Sequence, residues 1–237
     1  MHITVTHVFA LATAWGMYKM RRDVGRLPMG TFSHSKKIGV TILCDVEGGK
    51  DLIPITIWDG HKMTIFELAK LIADRVSRAK KGKDENHKKA TQSANFLPSF
   101  ILEPLGFNLT YLAAHFGISI PAMGLRADTF GHVIITNVAG MGFTSASAPL
   151  CPLLHAMGLL CCGVTEKRAV VDQQTGEISA KSMMTVTATG DHRYGDAAIW
   201  VPLFKTLKIF MSDPGNFDEK KIADSKHYKE LEKSKSD

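Results

Sequence analysis

The hydrophobic pattern of this chain switches repeatedly between the helical period and a period of two, and each switch predicts an element. Val8, Leu11, Ala12 and Trp15 recur at roughly helical spacing, with Thr6 as the expected N-cap and Lys19, Arg21 and Arg22 near the end, where the helix dipole favours cations. Ile38–Val46 alternates and is rich in β-formers. Glu47-Gly48-Gly49-Lys50-Asp51 reads as a turn, and Leu52–Trp58 as the return strand of a hairpin with a longer loop. Thr64-Ile65-Phe66-Glu67 is a capping box, and Ile65, Leu68, Ala69, Ile72 and Val76 make one apolar stripe behind it, so that helix faces a core. The charge run Lys80–Lys89 reads as its solvated end and a loop.

In the second half, Gly131–Asn137 predicts a strand ending in Thr136-Asn137, followed by a Gly-bearing turn over Ala139–Gly142. Ala156–Val164 is a continuous apolar run suited to a buried strand. Ala169–Gln173 leads to the turn Gln174-Thr175-Gly176, and Ile178–Ser182 begins a return strand. That strand continues with Met184, Val186 and Ala188 on one side and Thr185, Thr187 and Thr189 on the other. After Ala197, Ile199, Leu203, Leu207 and Phe210 predict a closing helix with Pro202 in its early turns. There are no internal repeats.

Composition narrows the class. The 237 residues suit one domain with a sizeable core, and 45% hydrophobic with 22% charged residues is an ordinary globular balance. The net charge of +6 comes from Lys and Arg spread over Lys19–Arg26, Arg75–Lys89 and the C-terminal tail; no basic face with interleaved aromatics emerges, which argues against nucleic acid. A positive surface also steers polyanionic ligands. Cys44, Cys151, Cys161 and Cys162 form neither a C-x-x-C pair nor a metal-ligand spacing, so no metal is expected and a reducing, intracellular compartment is, either cytoplasm or mitochondrial matrix. Val8–Met17 is apolar, but its cationic cluster follows rather than precedes it, the reverse of a secretory signal.

The segment Phe96–Leu125 is apolar yet broken by Pro98, Pro104 and Pro121 and by Glu103, Asn108 and His115, too interrupted for the ~20 residues of a membrane span. It reads as two short amphipathic helices that pack on the domain, on a partner subunit or on a membrane surface.

The candidate chemistry lies where the Met183–Thr189 strand runs into Asp191-His192-Arg193-Tyr194-Gly195-Asp196. A histidine at the end of a rigid strand is a candidate base for a thiol or hydroxyl, because its ordinary pKa of about 6.5 lies near neutrality. Asp196, four positions on, is a candidate orienting carboxylate. An H-x-x-x-D spacing alone equally describes a histidine in a turn.

Those residues, together with Gly131–Gly142 (GHVIITNVAGMG) and Lys37–Val76, occur in an order and spacing that resembles the catalytic domain of the dihydrolipoyl acyltransferases of 2-oxo acid dehydrogenase complexes, which is similar in fold to chloramphenicol acetyltransferase. The resemblance runs from about Thr6 to about Pro214. It looks closest to stand-alone members that carry an apolar insertion before the GHVIITNVAG block and have no lipoyl domain. It implies an α/β, two-layer α+β sandwich: a mixed sheet with helices on one face, incomplete at the N-terminus. Domain boundaries follow as 1–214 for the catalytic-type domain, with an insertion at about 94–126, and 215–237 for a charged, loosely held tail.

The implied reaction moves an acyl group between coenzyme A, as the thioester co-substrate, and a thiol such as dihydrolipoamide. The resemblance casts His192 as general base, Thr136 as hydrogen-bond donor to the tetrahedral oxyanion, and Asp196 as a structural partner that fixes the loop through a charged group. On its own, Thr136 is an ordinary β-branched strand residue. Two departures from the family pattern bear on activity. Ala197 stands where relatives have glycine, which would strain a turn needing positive φ, and an opening segment with an arginine that holds the aspartate is missing. The resemblance further implies a homotrimer with sites at subunit interfaces, a lipoyl group supplied only in trans by a lipoyl-bearing protein, and association with a dehydrogenase complex. Two other readings stand beside it: a catalytically silent core or assembly subunit, and a membrane-surface or partner-binding protein acting through Phe96–Leu125.

Overall fold

The computed structural model describes residues 2–45, 52–80, 129–151 and 155–213, with isolated positions between 98 and 119 and at 215. The predicted turn Glu47–Asp51 with Val46 before it, the charge run beyond Lys80, most of the Phe96–Leu125 insertion and the tail from 216 lie outside these residues.

Helix α1 (Val5–Lys19) opens the domain. Its cap is Thr4 rather than the expected Thr6: the His7 Nδ1 atom lies 3.0 Å from both the Thr4 backbone N–H and the Thr4 hydroxyl. A polar side chain three residues into the helix can reach back to the cap, and His7 serves that purpose at Thr4. Thr6 instead lies in the first turn, where its hydroxyl accepts from Asn137 Nδ2 at 2.9 Å. The helix is apolar almost all round, and Phe9–Ala14, Gly16 and Met17 are buried, as expected of a helix enclosed on every side.

A short ribbon, β1 (Gly25–Arg26) with β2 (Ser33–His34), precedes the main sheet. The predicted hairpin is β3 (Gly39–Asp45) and β4 (Leu52–Trp58), antiparallel with Gly39 opposite Trp58 and Asp45 opposite Leu52. Helix α2 (Ile65–Lys80) follows, its capping box formed by Thr64 and Glu67 in both directions. The remaining elements are β5 (Val133–Asn137), β6 (Gly158–Val171), β7 (Ile178–Gly190) and α3 (Ala197–Ser212). The sheet runs β4-β3-β5-β6-β7, parallel at β3/β5 and β5/β6 and antiparallel at its two outer pairs. A mixed sheet was expected, and this is one. Its β6 runs past the predicted end at Val164, because β6 and β7 pair as one long hairpin whose outer half extends beyond the core and is mostly exposed.

Alternation along the strands sorts side chains between two faces. On one face Val40, Ile42, Val133, Ile135, Leu160 and Cys162 form a single core with α1, α2 and α3. Met184 and Val186 pack against it, as the period-two pattern of β7 predicts. Helices α1 and α3 approach so closely that a Cβ on Gly16 would stand 2.5 Å from Leu203 Cδ1. On the other face Ile134, Leu159 and Cys161 form a smaller cluster with Ala146, Ala148 and Leu150. The chain between β5 and β6 is laced there by Thr187 and Thr189, whose hydroxyls donate to the carbonyls of Ala146 and Ala148. Among the described residues no helix is long and apolar enough to cross a membrane, and no group of metal-ligating side chains is assembled.

Candidate active site

Strand β7 ends at Gly190, and the chain turns at once. The Asp191 N–H donates to the Met157 carbonyl at 2.8 Å, pinning the turn to the start of β6. The Tyr194 N–H returns to the Asp191 carbonyl at 3.1 Å and the Gly195 N–H to that of His192 at 3.2 Å, closing a tight turn that has His192 at its second position. The Asp191 carboxylate accepts from the Arg193 backbone N–H and from its guanidinium, the shortest contact being 2.6 Å to an Nη atom. Those bonds hold the Asp191 carboxyl below the usual carboxylate range. His192 is thereby carried on a turn locked at both ends, with its imidazole exposed at the surface.

Asp196 is the N-cap of α3: its Oδ1 accepts from the Ala198 N–H at 2.8 Å. Sequence reasoning expected it to hold a charged partner. Among the described residues the ion pair of this turn joins Arg193 to Asp191 instead, because two residues of turn bring the guanidinium back over Asp191. The strain considered at Ala197 does not arise, since Ala197 is the first residue of α3 and does not have positive φ. The backbone conformation that favours glycine falls at Gly195, with φ 149°.

Beside His192 a cavity of about 240 Å³ opens between α3 and the β6/β7 pair. Leu160, Ala188, Trp200 and Phe204 line it, with Gly195, Asp196 and Ala197 at the His192 end. Gly158 and Gly190 face each other across β6 and β7, and both underlie the Trp200 indole. A Cβ at Gly158 would stand 2.7 Å from Trp200 Cη2, and one at Gly190 would stand 3.1 Å from its Nε1. The glycine pair is what lets a buried tryptophan lie flat against the sheet. Sequence reasoning missed this arrangement, although a glycine in a strand marks a close approach.

Thr136 sits half-buried near the end of β5, on the face opposite the helices, next to exposed Asn137. The register separates it from His192. Thr136 lies opposite Cys161 on β6, and Cys161 lies opposite Thr187 on β7, three residues before Gly190. At ~3.3 Å per residue along a strand and ~4.8 Å between strands, the Cα atoms of Thr136 and Gly190, two residues before His192, are roughly 14 Å apart. A base and an oxyanion donor acting on one carbonyl must both lie within hydrogen-bond reach of it. One subunit therefore does not bring Thr136 and His192 to the same substrate.

Near this end of the sheet, His132 is structural in its bonding. His132 is 1% exposed; its Nδ1 accepts from the Gly39 N–H at 3.0 Å and its Nε2 lies 2.7 Å from Ser35 Oγ. Burial, with Arg26 nearby, drops its pKa to about 3. His155 is buried with φ 47°, and its pKa is lowered by burial and by His115 and Arg193. The thiols of Cys44 and Cys162 are pushed up by burial to about 11 and about 12, which keeps them protonated.

Residues 127–217 match the family model of the 2-oxoacid dehydrogenases acyltransferase (catalytic domain). The architecture agrees with solved structures over most of the chain. A probable dihydrolipoamide acetyltransferase from Listeria monocytogenes superposes with TM-score 0.63 at 14% identity, over 89% of this chain and 70% of its own. The dihydrolipoamide acetyltransferase of Azotobacter vinelandii gives TM-score 0.63 at 15% identity, over 91% and 71%. The cubic core of a pyruvate dehydrogenase multienzyme complex gives 0.62 at 14%, over 91% and 71%. This is the dihydrolipoamide acetyltransferase fold. The resemblance read from the sequence is thus borne out, and both His192 and Thr136 fall inside the matched segment. No curated protein matches the chain in sequence.

Proposed function

We propose that this protein is an acyltransferase that moves an acyl group between coenzyme A and a thiol such as dihydrolipoamide, working as a homotrimer with His192 of one subunit facing Thr136 of the next. The observation that carries this reading is the position of His192, held on a locked turn at the rim of a cavity within the segment that matches the acyltransferase family. The Azotobacter vinelandii enzyme, whose catalytic mechanism was investigated at a serine, a histidine and an asparagine, has its histidine and asparagine four positions apart. His192 and Asp196 have the same spacing, with a carboxylate in place of the amide.

In this mechanism the His192 imidazole takes the proton of the attacking thiol, and the thiolate sulfur bonds to the thioester carbon. Negative charge moves onto the carbonyl oxygen, where the Thr136 hydroxyl of the neighbouring subunit donates to it. The intermediate collapses by breaking the carbon–sulfur bond to the departing thiol, which leaves as thiolate and takes its proton from His192. Asp191, Arg193 and Asp196 position the turn and touch no reacting atom. The separation of Thr136 from His192 within a subunit supports an interfacial site, and the acyl carrier would be the lipoyl arm of another protein of a dehydrogenase complex.

Subunit mixing tests this reading. His192→Ala is expected to abolish transfer, and Thr136→Val to slow it by roughly two orders of magnitude, the worth of one oxyanion donor. Denaturing and refolding the two variants together at equal amounts should restore about a quarter of wild-type transfer, because about a quarter of randomly formed interfaces pair an intact His192 with an intact Thr136 when sites lie between subunits. No transfer by folded wild-type protein from acetyl-, succinyl- or branched-chain acyl-CoA would overturn the activity, and no recovery on mixing would overturn the interfacial site.

A further inference from the structure

From the cavity beside His192 we infer the class of acyl group: an uncharged, apolar chain of about six carbons, seated with its thioester carbonyl at His192 and its tail against Trp200. This inference rests on the acyltransferase reading for its chemistry and on the cavity for its substrate. The cavity shares its rim with the proposed base, so a thioester carbonyl placed at His192 has its chain directed along the trough between α3 and the β6/β7 pair. The side chains along that trough, Leu160, Ala188, Trp200 and Phe204, are apolar.

Volume sets the size. An apolar protein cavity of about 150 Å³ takes a benzene ring, and this one measures about 240 Å³. An acetyl group would leave most of it unfilled. The Gly158 and Gly190 pair fixes where Trp200 lies: a side chain at either position would press on its indole. Trp200 itself is 8% exposed and forms a fixed floor, whereas Phe204, 42% exposed, stands at the opening.

Charge sets the polarity. Among the lining residues there is no Lys or Arg, and the ionisable groups are His192 and the Asp196 carboxylate at one end. A dicarboxylic acyl group such as succinyl would bring a second carboxylate into an apolar trough with no cation to meet it, which costs the ion its hydration without a partner. A branched or straight hydrocarbon chain meets no such penalty.

The test is a donor series of acetyl-, butyryl-, hexanoyl-, decanoyl- and succinyl-CoA, with free dihydrolipoamide as acceptor and the full-length protein. Expected is a rise in kcat/KM of about threefold to fourfold per added methylene up to hexanoyl, the worth of burying one methylene, with no further gain at decanoyl and succinyl below butyryl. Ala188→Leu, which fills the trough, should cut hexanoyl transfer at least tenfold and remove the preference for hexanoyl over acetyl; Phe204→Ala, at the half-exposed opening, should weaken hexanoyl transfer with little effect on folding. A companion measurement keeps the two readings apart: calorimetric binding of hexanoyl-CoA and acetyl-CoA to His192→Ala protein, which retains the trough without the base. Transfer that is indifferent to chain length, or equal binding of the two donors, overturns the pocket while leaving the acyltransferase reading standing. Tighter hexanoyl-CoA binding that Ala188→Leu abolishes, in a protein that transfers nothing, supports the pocket and overturns the activity.

Discussion

Replacing Gly158 by alanine adds one methyl group at a place where the structure has no room for it. The new Cβ would lie 2.7 Å from Trp200 Cη2 and 3.1 Å from Cζ3, against the ~3.5 to 4.0 Å of an ordinary carbon contact. Nor can the ring slide freely along the sheet, because it is 8% exposed in a packed core. Overpacking of this kind costs about 1–3 kcal/mol. Alanine also restricts the unfolded chain, returning about 0.4–1 kcal/mol, since Gly158 is not among the positive-φ glycines. The net expectation is a loss of about 1–2 kcal/mol, seen as a fall in Tm of roughly 2–8 °C for a chain of this size. Trp200→Phe removes the outer ring that carries Cη2 and Cζ3, so in that background the same methyl should cost far less. Urea denaturation of wild type, the two single variants and the double variant closes the cycle, with an expected favourable coupling of about 1–2 kcal/mol. A Gly158→Ala protein as stable as wild type, or costs that add to within about 0.5 kcal/mol, would refute the claim that the glycine pair exists to seat Trp200.

Acid should destabilise the fold through His132. Its folded pKa of about 3 lies below the ordinary 6.5, so the unfolded chain takes up the proton first; the stabilisation is complete above the unfolded pKa and is lost as pH falls from there toward 3. Between pH 7 and 5 this amounts to roughly 2 kcal/mol, with His61 and His155, also lowered by burial, adding in the same direction. His132→Gln should flatten the dependence of urea stability on pH in that window, and an unchanged slope would count against it. Asp196→Ala should cost about 1 kcal/mol by uncapping α3, and Asp196→Asn much less, since asparagine caps equally well; thermal melts that rank the two the other way would show that charge, not capping, is what Asp196 supplies.

How much of this was legible in the sequence depends on whether the relevant interaction is local. The capping box at Thr64 and Glu67 involves residues three apart, and the alternation of Met184, Val186 and Ala188 against Thr185, Thr187 and Thr189 is a property of the strand itself. Both were read correctly. The cap of α1 was misread by two residues because His7 is an uncommon partner for a capping threonine, and the role of Thr6 depends on Asn137, 131 positions away. Asp196 as a helix cap was equally local and was legible in principle, but it was hidden behind its place in the H-x-x-x-D spacing.

The sequence by itself determined the order of elements, the faces that must be buried, and the residues of the candidate chemistry, because hydrophobic periodicity and short-range hydrogen bonding act between neighbours in the chain. Only the tertiary structure decided that Gly158 and Gly190 meet beneath Trp200, that a cavity opens beside His192, and that Thr136 and His192 stand too far apart to serve one substrate within a subunit. Those facts follow from strand register, which is set by packing across the whole sheet and leaves no trace in any single stretch of the chain.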